Sequence, residues 1–121
     1  MITKFGKFLR NLRMDNGEIL KSMAEKLEIT SSFLSAVENG KKKIPEGWVN
    51  KIASLYSLSN RKQAELQNAY YETNECVEIE LAELNRNKRE LAFSFARKLN
   101  GFSDEEMDKL CKMFKEEDSN E

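Results

Sequence analysis

The sequence predicts a mostly α-helical protein, with five helices in its first 72 residues and a C-terminal segment of one short strand and two helices. One proline and five glycines in 121 residues leave long stretches free of helix breakers. Apolar residues recur at helical spacings of three and four along most of the chain. With 40% apolar and 34% charged residues, the composition is typical of a globular domain. We therefore expect two parts, residues 1–72 and 73–121.

The first five helices are predicted from apolar periodicity together with capping residues. The first spans about residues 3–14 and the second residues 19–27. Thr30 is a favourable N-cap for a third helix that runs to about Asn39, and Gly40 suits the position after its end. Pro45 is predicted to open the fourth helix, and Ser59 to cap the fifth.

The spacing of apolar residues changes at the start of the C-terminal segment. Residues 76–81 alternate apolar with acidic side chains, which predicts a strand, and a capping box at Ser103 opens the last of two helices. A single strand leaves its backbone groups unpaired, so pairing with a second copy of itself is the favoured interpretation. The alternative is an irregular connector with two helices that cap the first domain. The dimer candidates are Val77, Ile79, Leu81, Phe93 and Phe95.

Charge is divided unevenly between the two parts. Residues 1–72 are net basic and residues 73–121 net acidic, although the whole chain carries only −1. This division suits a basic half that faces nucleic acid, joined to an acidic half that faces another partner.

Several function classes are disfavoured by residues that the chain lacks. It contains no His and only Cys76 and Cys111, so we expect no metal site, no cofactor and no catalytic activity. Two free thiols are favoured over a disulfide bridge. No apolar run is long enough for a membrane span, and a cytoplasmic location is expected.

The segment 19–39 has the spacing that two short helices need to pack across a three-residue turn. Counting from Leu20 as the first position, Ala24 is fifth and provides a small residue where the helices cross. Ile29, Leu34 and Val37 are tenth, fifteenth and eighteenth, and fill the wedge between the helices. Together with the sequence Val37-Glu38-Asn39-Gly40-Lys41 at its end, this pattern resembles the Cro/repressor-type (XRE-like) helix-turn-helix of phage and bacterial regulators. The resemblance covers residues 5–58 and implies a five-helix, lambda-repressor-like domain that binds operator DNA, usually as a two-fold dimer.

The resemblance implies a role for each exposed position of the motif. The third helix would lie in the major groove and read base edges. Its base-reading candidates are Thr30, Ser31, Ser32, Ser35, Ala36 and Asn39. Phosphate contacts would come from Lys21 and from the loop lysines Lys41, Lys42 and Lys43. Phe33 either packs at the edge of the core, which is favoured, or contacts a thymine methyl group.

Two further positions carry a structural expectation and two depart from the family pattern. Arg13 and Glu38 lie where the family often places an ion pair between the first and third helices. Leu20 stands where a glutamine usually holds a phosphate, so that contact should be missing. Glu28 replaces the usual glycine of the turn, which must therefore accept a Cβ.

The favoured hypothesis is a sequence-specific, dimeric transcriptional repressor that binds duplex DNA. The alternative is an antitoxin-like or inhibitor-like module in which residues 74–121 hold a protein partner and DNA binding is secondary.

Overall fold

The computed structural model describes the backbone of residues 1–118 and the side chains of residues 1–115. Within that range the chain forms seven α-helices and a short 3-10 turn, Leu99–Gly101, and contains no strand. The helices are α1 Lys4–Asp15, α2 Leu20–Lys26, α3 Ser31–Glu38, α4 Trp48–Leu55, α5 Asn60–Asn74, α6 Arg86–Lys98 and α7 Asp104–Asp118. The mostly α prediction is confirmed. Two compact units result, Met1–Val77 and Glu78–Glu121.

The hydrophobic core of the first unit is built from one face of each of its five helices. Its twelve buried apolar side chains are Phe5, Leu9, Leu12, Met23, Ala24, Leu27, Leu34, Val37, Ile44, Trp48, Ile52 and Leu66. The apolar spacing of three and four in α1 and α4 directs these side chains inward. Tyr70 of the fifth helix adds to this core, since its ring lies edge-on to Phe5 with centroids 6.3 Å apart.

Four successive helices end in the same way, with a residue of positive φ after the C-cap. These residues are Gly17, Glu28, Gly40 and Ser57, after α1, α2, α3 and α4 respectively. After α2, the amide of Ile29 donates to the Ala24 carbonyl (3.0 Å), and the amide of Glu28 donates to the Glu25 carbonyl (3.1 Å). This is the Schellman arrangement, which satisfies the last carbonyls of a helix and turns the chain sharply. The four short helices can therefore fold back on one another through brief connections.

The prediction that Pro45 opens the fourth helix is wrong, because α4 begins three residues later. Residues 45–48 form a turn in which the Trp48 amide donates to the Pro45 carbonyl (3.4 Å). Gly47 has φ +80°, the value that the third residue of a type II turn requires and that glycine adopts without strain. Pro45 is thus the first residue of the turn, and Gly47 serves as the N-cap of the helix.

The α5 helix closes the first unit by returning to the start of α1. Ser59 caps α5 as predicted, accepting a hydrogen bond from the Lys62 amide (3.1 Å). At the other end, the Thr73 hydroxyl accepts a hydrogen bond from the Phe5 amide (3.1 Å), and Lys4 pairs with Glu72 (2.6 Å). The first turn of α1 thus has one of its otherwise free amides satisfied by α5.

The predicted strand at residues 76–81 is wrong. The described part of the chain contains no strand that could pair with it, so its backbone donors and acceptors have no ladder to join. The segment is a connector without regular secondary structure, in which Val77 and Ile79 are exposed and Leu81 is half-buried. The alternating apolar and acidic residues therefore belong to a linker and not to a strand.

The second unit consists of the two predicted C-terminal helices and the turns that start them. Asn85 caps α6 by accepting from the Lys88 amide (2.9 Å). The capping box before α7 is present: the Ser103 hydroxyl accepts from the Glu106 amide (3.2 Å), and Glu106 accepts from the Ser103 amide (3.1 Å). This backbone hydrogen bond from Ser103, with the hydroxyl contact, lowers the pKa of Glu106.

Candidate nucleic-acid interface

The turn between α2 and α3 is held by hydrogen bonds at both of its ends. The Schellman bonds close α2, with Glu28 at φ +60°. The Thr30 hydroxyl then accepts from the Phe33 amide (3.0 Å) and opens α3. Because both helix ends are satisfied within four residues, the angle between α2 and α3 is fixed by local geometry.

The four inward positions of the motif pack the two helices together. Ala24, Leu34 and Val37 are at most 2% exposed, and Ile29 is partly buried against the same core. Without a larger side chain at Ala24, α2 and α3 can approach closely. The spacing of these residues in the sequence therefore corresponds to a single packed wedge.

A buried ion pair ties the end of α3 to α1. The two terminal guanidinium nitrogens of Arg13 donate to the Glu38 carboxylate, at 2.5 Å from Nη1 and 3.1 Å from Nη2. The two residues are 8% and 1% exposed, and Arg10 lies at 3.6 Å on the outer side. A two-point contact of this kind orients the helices because the planar guanidinium accepts only one alignment of the carboxylate.

Two residues that the sequence analysis missed hold the same junction, Thr3 and Gly6. The Glu38 carbonyl accepts hydrogen bonds from the Thr3 amide (2.9 Å) and hydroxyl (3.1 Å). A Cβ on Gly6 would lie 2.2 Å from that same carbonyl oxygen, so only glycine lets α1 approach the end of α3. The signal was a glycine at a core-facing position of an otherwise regular amphipathic helix.

The N-terminal half of α3 presents the base-reading candidates to the outside. Thr30 and Ser32 are exposed, and Ser31, Ser35 and Ala36 are half-buried. Asn39 is the C-cap of α3, and its amide nitrogen donates to the Ser35 carbonyl (2.8 Å). The outward surface is thus built from small side chains, and the only amide among them has a donor committed to its own helix.

Phe33 packs against the core instead of standing free. Its ring meets Trp48 edge-on, with centroids 6.3 Å apart and an interplanar angle of 81°. This geometry is favourable for aromatic pairs. The contact corresponds to the favoured interpretation of Phe33 from the sequence.

The phosphate-contact candidates are all exposed. Lys41, Lys42 and Lys43 follow the positive-φ residue Gly40, and Lys21 lies in the first turn of α2. The amides of Lys41 and Lys42 both donate to the Ala36 carbonyl, at 2.8 and 3.2 Å, which holds the start of the loop against α3. Among the side chains of residues 1–115, none forms an ion pair with these four lysines. Their charges remain available to an external anion.

A second ionic contact joins the last turn of α2 to the loop that precedes this helix. Lys26 pairs with Glu18 (2.6 Å) and lies 4.7 Å from the centre of the Tyr56 ring. Burial alone raises the pKa of Glu18, but the Lys26 ammonium and the Tyr56 hydroxyl outweigh burial and lower it. Burial and the adjacent Glu18 carboxylate raise the pKa of Tyr56. Glu18 is therefore held as a carboxylate that anchors α2.

Four of the five dimer candidates are exposed. Phe93 and Phe95 are on α6 and are 47% and 39% exposed, and Phe95 contacts the Phe102 ring at 6.0 Å. Val77 and Ile79 lie on the connector between α5 and α6. Cys76 and Cys111 are both exposed free thiols.

The described residues lack two further kinds of feature, a metal site and a membrane-spanning helix. No group of three acidic or thiol side chains is arranged to hold a metal ion among these residues. None of the helices in that part of the chain combines the length and the apolar character that crossing a bilayer needs.

Comparison with known proteins agrees with this geometry. Residues 4–66 match the family of the helix-turn-helix domain, which spans α1 to the middle of α5. No curated protein and no solved structure gives a significant match. The matched range contains the α2–α3 wedge, the Arg13–Glu38 pair and the lysine loop. The chain therefore belongs to the helix-turn-helix domain family, and its resemblance to the XRE-like DNA-binding proteins is confirmed.

Proposed function

We propose that this protein is a sequence-specific transcriptional regulator that binds duplex DNA as a dimer and represses by occluding a promoter. The observation that carries the proposal is the arrangement of α3. The outer side of its N-terminal half is exposed at Ser32, its inner face is fixed by the wedge and the Arg13–Glu38 pair, and lysines without an ion pair among the described side chains follow it. A rigid helix with an exposed N-terminal half and adjacent cations is what major-groove docking requires.

The exposed hydroxyl of Ser32 and the half-buried hydroxyl of Ser31 would read base edges. A serine hydroxyl can donate to an acceptor or accept from a donor, so each contact discriminates less than a two-point arginine or asparagine contact. Asn39 adds little because its amide nitrogen is bonded to Ser35. Water-mediated contacts and DNA shape would therefore supply part of the specificity.

The lysine loop would supply affinity without sequence information. Each phosphate neutralised by a lysine releases counterions, which makes binding weaken as salt rises. Leu20 cannot donate the hydrogen bond that a glutamine would give, so the loop and Lys21 carry more of the phosphate contact here. Two subunits would then place their α3 helices about 34 Å apart, one turn of the duplex.

We further propose that the protein works without catalysis or a cofactor and acts in the cytoplasm. The absence of histidine leaves it without the usual general base, and the exposed polar residues of α3 have no base beside them.

A mobility-shift titration tests the proposal. The probe is the duplex upstream of the protein's own gene, and the competitor is a scrambled duplex of equal length and composition. Ser31→Ala with Ser32→Ala should bring the affinities for the two duplexes closer together. Lys42→Gln with Lys43→Gln should weaken both equally and reduce the salt dependence, whereas Arg61→Gln with Lys62→Gln, a matched loss of two charges on α5, should change neither. Equal affinity of the unmodified protein for the two duplexes would contradict the proposal.

The second candidate function is an inhibitor-like or antitoxin-like module that binds a protein through residues 74–121. The large exposed apolar side chains of the second unit favour it, among them Leu91, Phe93 and Phe114. Absence of any duplex binding at moderate salt, together with a stable complex with another protein, would support this candidate instead.

A further inference from the structure

A second arginine, Arg10, lies beside the buried ion pair that joins α1 to α3. Its Nε is 3.6 Å from the Glu38 carboxylate, and its side chain is 51% exposed, whereas that of Glu38 is 2% exposed. Among the side chains of residues 1–115, none accepts a hydrogen bond from Arg10. Because Nε is the atom that approaches Glu38, the two terminal nitrogens of Arg10 keep their donors for an acceptor outside the protein.

The Glu38 carboxylate does not require Arg10. Arg13 already donates to both of its oxygens and supplies one full positive charge to match its negative charge. With Arg10 added, two guanidinium groups share one carboxylate, so the junction between α1 and α3 carries a net charge of +1. That charge lies at the surface because Arg10 is the exposed member of the group.

The end of α3 does not require Arg10 either. A cation near a helix C-terminus commonly bonds the last carbonyls, which have no partner within the helix. Here the last four carbonyls of α3, those of residues 35–38, all accept from backbone amides, at 3.0, 2.8, 3.1 and 2.9 Å. These amides belong, in order, to Asn39, Lys41, Gly40 and Thr3. The fold therefore leaves no carbonyl there for Arg10 to bond.

The ion pair divides the seam between α1 and α3 into an inner and an outer side. On α1, Leu9 and Arg10 lie four and three residues before the arginine of the pair, and on α3 Leu34 and Ser35 lie four and three residues before the glutamate. In a helix these two spacings fall on opposite sides of the reference residue. Leu9 and Leu34 are fully buried in one core, so Arg10 and Ser35 both lie on the outer side of the seam.

This outer side continues into the surface of α3 that carries the base-reading candidates. On the same edge of α1, Lys7 lies three residues before Arg10 and Met14 lies four residues after it, and both are exposed. Neither side chain brings a negative charge to the edge. A polyanion that approaches α3 from this side meets a cationic border formed by α1.

We propose that Arg10 binds a backbone phosphate of duplex DNA when α3 lies in the major groove. The terminal nitrogens of an arginine form a planar fork that matches two oxygens of one phosphate. The Glu38 carboxylate next to Nε holds this fork toward the outside. The first helix thereby adds a phosphate contact to those of Lys21 and the lysine loop. This inference rests on the duplex binding of the proposed function, but it requires no reading of bases.

The experiment measures binding to the scrambled duplex by fluorescence anisotropy from about 50 to 200 mM salt, since phosphate contacts do not depend on sequence. Arg10→Gln should weaken binding roughly tenfold at the lower salt. It should also reduce the slope of log affinity against log salt by about 0.9 for each bound subunit. Arg10→Lys keeps the charge but loses the fork, so it should keep the slope and weaken binding less than Arg10→Gln.

Lys4→Gln is the matched control. It removes one positive charge from the edge of α1 that faces α5, where Lys4 pairs with Glu72, and should change neither the affinity nor the slope. A second readout separates phosphate binding from a role in folding. Arg13 keeps both of its hydrogen bonds to Glu38 in Arg10→Gln, so the midpoint of urea unfolding should stay that of the unmodified protein.

The proposal is overturned if Arg10→Gln leaves the salt slope unchanged, if Lys4→Gln reduces it equally, or if the unmodified protein binds no duplex. Weaker binding with a lower urea midpoint and an unchanged slope would make Arg10 a residue of the scaffold only. Failure of the proposed function gives a different result. Equal affinity for the upstream and scrambled duplexes would contradict sequence-specific regulation and leave the effect of Arg10 on the slope in place.

Discussion

Replacing Glu28 by glycine should stabilise the helix-turn-helix unit. Glu28 holds φ +60° at the end of α2, is exposed, and forms no ion pair among the described side chains. The left-handed conformation costs a residue with a Cβ about 1–2 kcal/mol, and glycine avoids that cost. Glycine in turn loses roughly 0.5–1 kcal/mol more backbone entropy on folding. The difference leaves a gain of about 0.5–1 kcal/mol for Glu28→Gly.

Thermal and urea unfolding of the full chain measure this gain. For a unit of this size the expected rise in Tm is roughly 2–8 °C. Glu28→Ala is the control, since it removes the carboxylate but keeps the Cβ and should leave stability nearly unchanged. Gly17→Ala is the opposite test. Gly17 has φ +63° with open space around it, so the added Cβ strains only the backbone, and the free energy of unfolding should fall by about 1 kcal/mol. The reasoning is refuted if Glu28→Gly lowers stability, or if Glu28→Ala raises it equally.

Three other substitutions test the scaffold and the DNA-facing loop. Gly6→Ala should destabilise by at least about 1–3 kcal/mol in urea unfolding, since its Cβ would meet the Glu38 backbone at 2.2 Å; a stability equal to that of the unmodified protein would exclude the close approach of α1 and α3. Glu38→Gln leaves Arg13 buried without its counter-charge and should cost about 3–5 kcal/mol, whereas Glu46→Gln at an exposed position should cost almost nothing. Joint replacement of Lys41, Lys42 and Lys43 by Gln should reduce the slope of log affinity against log salt by up to about 2.7; an unchanged slope would remove the loop from the interface.

The helix-turn-helix could be predicted from the sequence because its determinants are local. Spacing alone identified Ala24, Leu34 and Val37, whose burial follows from helix periodicity and a short turn. The family resemblance had placed Glu28 where the turn usually has a glycine, and the structure gives that residue φ +60°. Capping residues such as Thr30 and Ser59 mark their helices through hydrogen bonds to amides only three residues away.

Features that depend on distant partners were missed or predicted wrongly. The role of Gly6 depends on a backbone carbonyl 32 positions away; the sequence shows a glycine on the core face of α1 but does not identify its partner. Pro45 was assigned to a helix start because the sequence does not distinguish that position from the first residue of a turn. The segment 76–81 has the alternation of a strand, but a strand exists only where another segment pairs with it.

The most direct measurement of the central claim is the affinity of the unmodified protein for two duplexes, compared by fluorescence anisotropy at near-physiological salt. One duplex is the segment upstream of its own gene, and the other is a scrambled sequence of the same length and composition. If α3 reads base edges from the helix-turn-helix, the first duplex should bind at least about a thousandfold more tightly. Equal affinities for the two duplexes, or no binding to either, would contradict the account.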